Sequence, residues 1–141
     1  MEREIVNEPK ELKGFRVVQD GKEIMEALQK EETVMHWEAG NSMHPLLMHM
    51  EYCKIIPMKL PVENKEFIIG KPVFCHFIGR TEQGDYQDFY MVHRCTEIYV
   101  RDGEQYFKIE GTDGTVFGWT KDVYGWAEST GIFQDEVALW N

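Results

Sequence analysis

Downstream of Cys53 the apolar residues come in runs of strand length, and almost every run is cut short by proline, glycine or an Asp-Gly pair. Such a pattern leaves little room for long helices and calls for several short strands at close spacing. Residues 53–58 form one run, stopped by Pro57 and Pro61. Gly70-Lys71-Pro72 introduces a second over 73–78. The stretch 81–88 is polar, holds Gly84 and reads as a loop. Residues 89–100 are the longest strand expected, and Asp102-Gly103 is a strong hairpin signal. The returning strand covers 106–110 and is closed by Gly111-Thr112-Asp113-Gly114; a further short strand covers 123–128.

The N-terminal part differs. Ile24, Met25 and Leu28 recur near helical spacing among Lys and Glu, with Asp20 placed to cap, which predicts an amphipathic helix over 20–32. Residues 15–18 suit a short strand, and 33–38 alternate apolar and polar residues as a strand does. The chain then meets a turn-like breaker, Gly40-Asn41-Ser42, followed by His44-Pro45, where proline turns its neighbour away from helix. The expected fold is mainly β within an α+β class: a compact, coiled, mixed or antiparallel sheet with one N-terminal helix. The 141 residues suit one domain. It divides into an N-terminal segment (1–19), a core (20–128) and a C-terminal extension (129–141). Ile132, Phe133, Val137, Leu139 and Trp140 make that extension apolar enough to dock. Phe117, Trp119, Tyr124 and Trp126 also alternate like strand residues and read as core, although an apolar peptide groove would use the same side chains.

Hydrophobic residues at 43% and aromatics at 13% argue against disorder. A formal net charge of -10, with Lys and Arg scattered singly, excludes a nucleic-acid backbone as the expected partner. Cys53, Cys75 and Cys95 are odd in number and form no Cys-x-x-Cys pair, so free thiols in a reducing, cytoplasmic setting are expected. The charged start, Met1-Glu2-Arg3-Glu4, leads into no apolar segment of signal-peptide type. No apolar run approaches a membrane span. His36, His44 and His49 with Glu51 and Cys53 match no metal-binding spacing, so neither metal nor cofactor is expected.

The segment that carries chemistry is Gly40-Asn41-Ser42-Met43-His44-Pro45. It resembles the Gly-x-Ser-Met-x-Pro nucleophile box of the signal peptidase/LexA-like serine peptidases, a match that chance supplies in only about one chain in a thousand of this length. Downstream, Tyr90-Met91-Val92-His93-Arg94 looks like the His-Arg-Val strand of the archaeal and endoplasmic-reticulum signal peptidases, whose His replaces a bacterial Lys base. Gly111-Thr112-Asp113 stands near the family's Gly-Asp position, Gly70-Lys71-Pro72-Val73 near its Gly-Asp-x-Val turn, and Lys121-Asp122-Val123 near its closing strand. The resemblance covers about residues 20–128 in order.

The resemblance implies a serine peptidase with Ser42 as nucleophile and His93 as base, and Asp113 as a third member. Gly40 and the Ser42 N–H would face the oxyanion, while Met43 and Pro45 would shape the floor and fix the turn. The chemistry suits those residue types: a serine hydroxyl needs a base within hydrogen-bond reach, and neutral imidazole serves near pH 7. Two departures stand out. Thr112 occupies the position after Gly111 where the family has an acid, so Asp113 serves only after a one-residue slip, with Asp122 as its alternative. Lys71 replaces the turn Asp. No membrane anchor is expected. The reading is a soluble endopeptidase acting on a peptide or protein substrate. Its alternatives are a catalytically inactive peptide-binding module of the same fold, or an accessory protein that docks a partner through Phe133, Trp140 and the residues between them.

Overall fold

The computed structural model describes residues 8–139, and it is mostly β with a single mixed sheet and few helices. Two short strands, β1 (Glu11–Leu12) and β2 (Phe15–Val17), precede α1 (Gly21–Gln29). Asp20 starts this helix by accepting from the Glu23 N–H at 3.0 Å, satisfying a donor that the helix would otherwise leave free. Ile24, Ala27 and Leu28 are buried, the inward stripe of a surface helix. α1 is the crossover that returns the chain to β3 (Val34–Trp37), parallel to β2, because parallel neighbours cannot be joined by a tight turn.

The remaining elements are β4 (Glu51–Pro57), α2 (Lys65–Ile68), β5 (Pro72–Arg80), β6 (Tyr86–Arg101), β7 (Glu104–Glu110), β8 (Val116–Thr120), β9 (Val123–Phe133) and α3 (Gln134–Leu139). The sheet order is β1-β2-β3-β4-β9-β5-β6-β7-β8, and every pairing except β2–β3 is antiparallel. β9 returns from the end of the chain to lie between β4 and β5. It thereby joins the N-terminal strands to the β5–β8 meander.

Burial organises the core into three clusters. Under α1, Ile24 and Leu28 meet Val34, Ile55, Phe74 and Val92. Cys75, Cys95, Phe107 and Ile109 fill the meander. Leu12, Met35, Tyr52 and Val137 close the other end. Val137 on α3 is 2% exposed, so the described part of the C-terminal extension packs onto its own chain; Trp140 lies outside the described residues. Among those residues, no helix is long and apolar enough to cross a membrane.

The expected mixed sheet, the helix at Asp20 and the hairpin at Asp102-Gly103 are all present, the last with positive φ at both turn residues (51° and 80°), as a two-residue hairpin requires. Three expectations need correction. The described chain has three helices, not one. β5 and β6 pair into the expected loop, through Ile78↔Asp88 to Arg80↔Tyr86, because an antiparallel ladder can continue where its faces meet water, and there the Arg80 guanidinium lies over the Tyr86 ring at 5.2 Å. β9 likewise runs on to Phe133, across the expected end of the core at residue 128. Finally, Phe117 and Trp119 are 37% and 41% exposed; they lie on β8, the last strand of the sheet, and are not core.

Candidate active site

The connection between β3 and β4 is a closed loop. Met50 N–H donates to Glu38 O at 2.8 Å across its base, and Met43 and Leu47 are its buried anchors. Inside it, Gly40 has φ 117°, a conformation that only glycine adopts without strain. The Gly40 N–H donates to His49 Nδ1 at 2.8 Å. The loop's far end is held by Glu51, a buried carboxylate that accepts from Met48 N–H (3.0 Å), Gly131 N–H (2.7 Å) and the Ser129 hydroxyl. Ser42 therefore sits in a braced turn, five positions beyond the end of β3 and not on a strand.

His93 lies on β6, where it pairs with Val73 of β5. Ser42 Oγ and His93 Nε2 are 2.9 Å apart. With the ring proton on Nδ1, Nε2 accepts from the Ser42 hydroxyl. The imidazole is 9% exposed, and the Phe117 ring covers it with centroids 4.2 Å apart. Burial pushes the His93 pKa below its ordinary value, outweighing the nearby charges of Glu38 and Asp113, which act to raise it. Neutral imidazole is the form that can take a proton from serine. His93 Nδ1 is buried and has no hydrogen-bond partner among the described residues.

The turn between β7 and β8 reaches the same place. Thr112 N–H donates to Ser42 O at 2.7 Å, and its hydroxyl lies 3.0 Å from Ser42 O and 2.5 Å from His44 O. Gly111 fits this approach closely: a Cβ there would stand 2.6 Å from Asp113 Oδ1 and 3.1 Å from Ser42 O. Asp113 Oδ1 accepts from Thr115 N–H at 3.0 Å. Its carboxyl is held below the usual range by hydrogen bonds from Thr115, with a smaller effect of the His93 charge. A cavity of about 30 Å³ opens beside Ser42, bounded by Glu38, Gly40, Met43, Leu47 and Val92 among others, room for roughly one small group.

The structure thus brings Ser42 and His93 together and sets Asp113 near them without a hydrogen bond to the imidazole. Asp122, the alternative acid, belongs elsewhere: Asp122 Oδ2 is 3.2 Å from His76 Nδ1, and Asp88 takes His76 Nε2 at 2.7 Å. Met43 lines the cavity, whereas Pro45 is exposed and does not line it. Gly40 shapes the turn, but its N–H is committed to His49, leaving the Ser42 N–H as the backbone donor beside the hydroxyl. His36 bonds Val18 O and Glu38, so the histidines of this region have separate tasks. Sequence reasoning missed Glu51 and misjudged Phe117. A buried glutamate carries little local signal, since two of its three partners, Gly131 and Ser129, are distant in sequence; an aromatic on an edge strand reads like one in the core.

Comparison with known protein families, curated proteins and solved structures finds no match.

Proposed function

We propose that the chain is a serine endopeptidase of the signal peptidase-like type, working with a Ser42/His93 dyad. The observation that carries this reading is the 2.9 Å approach of Ser42 Oγ to His93 Nε2. The two residues belong to the two motifs whose resemblance predicted the pair. Ser42 Oγ attacks the peptide carbonyl carbon while His93 Nε2 takes its proton. The Ser42 N–H faces the oxyanion of the tetrahedral intermediate. Collapse returns the proton from His93 to the leaving amine and leaves an acyl-Ser42 ester. Water, deprotonated by the same imidazole, then releases the acid. The cavity beside Ser42 suits a small side chain next to the scissile bond. The three buried, unpaired thiols support a reducing, cytoplasmic setting.

A second reading keeps the fold and the Ser42–His93 contact but no turnover: a peptide-binding module. The unpartnered His93 Nδ1 favours it, because among the described residues no acid is hydrogen-bonded to the ring to orient it. Labelling by a fluorophosphonate separates the two, since only an activated Ser42 attacks the phosphorus, displaces fluoride and is phosphonylated.

A further inference from the structure

We propose that the β7–β8 hairpin is the positioning element of the Ser42–His93 pair, with Thr112 holding the nucleophile loop and Phe117 holding and covering the imidazole. Its catalytic consequence rests on the peptidase reading; its geometry does not.

The pair needs such a device because its members come from distant parts of the sheet. Ser42 follows β3, third in sheet order, and His93 lies on β6, seventh. No strand pairing joins the two elements directly. The hairpin supplies the link within a few residues. Glu110 pairs with Arg94, the neighbour of His93, and two positions later Thr112 reaches the carbonyls of Ser42 and His44. A single hydroxyl proton is shared between those two oxygens, so the Thr112 amide provides the constant bond and the hydroxyl the second point of attachment. Two further bonds stiffen the turn, Gly111 N–H to Thr115 O at 2.8 Å and Thr115 N–H to Asp113 Oδ1 at 3.0 Å. Asp113 therefore contributes to the site through the shape of the turn.

Phe117 completes the arrangement. It is 37% exposed, yet its ring lies 4.2 Å from the imidazole at 40°, on a side chain that the core does not need. A triad orients its histidine by a hydrogen bond to a carboxylate. Here an aromatic face limits the ring's rotation and keeps water from it.

The test uses nitrogen NMR of the full chain with labelled histidine. Wild type should show a single His93 tautomer with Nε2 as acceptor and a titration midpoint below the ordinary value of about 6.5. Phe117→Ala should move that midpoint upward, with Phe117→Leu in between. Thr112→Val should mix the two tautomers by loosening Ser42, whereas Thr112→Ser, which keeps the hydroxyl, should restore the wild-type pattern. A simple loss of stability would not produce this split between the two positions. An unchanged midpoint in Phe117→Ala, or an unchanged tautomer in Thr112→Val, overturns the proposal. Wild type that never reacts with a serine-directed probe removes the peptidase reading and leaves this one to be decided by the nitrogen shifts.

Discussion

Asp113 accepts its hydrogen bond from the Thr115 N–H at 3.0 Å, while His93 Nδ1, whose pKa its charge influences, has no partner among the described residues. A carboxylate that oriented the imidazole would be bonded to that nitrogen. Asp113→Asn, which preserves an oxygen acceptor for Thr115, should therefore change peptide cleavage by less than about threefold. Loss of a true triad acid costs on the order of 10⁴ in turnover, and a steady-state assay distinguishes the two outcomes. A loss of that size would make Asp113 a catalytic member.

Burial holds His93 neutral to lower pH than an ordinary histidine. The acid limb of kcat/KM should accordingly have its midpoint below about 6.5. The same shift acts on stability. The unfolded chain takes up a proton at its ordinary pKa and the folded one only at a lower pH. Stability is therefore lost as pH falls from about 6.5 through the folded midpoint. Replacing His93 with Gln should flatten that part of a plot of Tm against pH; an unaltered slope would contradict the assignment.

His76 has the opposite sign. Burial alone would lower its pKa, but hydrogen bonds to Asp88 and Asp122, with their charges, raise it overall. Its stabilising contribution is complete below the unfolded value of about 6.5 and disappears as pH rises through the higher folded midpoint. The Asp88→Asn/Asp122→Asn double variant should be less stable than wild type at pH 6 and closer to it at pH 9, as measured by thermal denaturation.

Cys53, Cys75 and Cys95 are free and buried, and burial raises all three thiol pKa values, that of Cys95 to about 12. Thiolate is the reactive form. A thiol reagent at pH 8 should find almost none in the native protein and three after unfolding without reductant. One thiol after unfolding would instead indicate an internal disulfide.

Local signals carried much of this fold. Asp20, the helical spacing of Ile24 and Leu28, and Asp102-Gly103 each announce an element through chemistry confined to a few residues. The order of Ser42 before His93 could be read in the same way, because each stands in a short motif. What stayed hidden depends on contacts between distant segments. The long β5–β6 ladder continues through the polar stretch to Arg80 and Tyr86 by pairing between the two strands. Glu51 matters through Gly131 and Ser129, and Phe117 through His93 on another strand. The role of Thr112 has no local signal, because its bonds to Ser42 and His44 depend on how the hairpin folds over the loop.

Activation of Ser42 by His93 has its most direct signature in phosphonylation of the Ser42 hydroxyl. The full chain is incubated at pH 7.5 with a fluorophosphonate, and the adduct is located by mass spectrometry of peptides. One adduct is expected, on Ser42, with labelling at least about a hundredfold slower in His93→Ala, since general-base help contributes roughly 10²–10⁴ in rate, and abolished in Ser42→Ala. A folded wild-type protein that takes up no probe, or that is labelled equally well without His93, would contradict it.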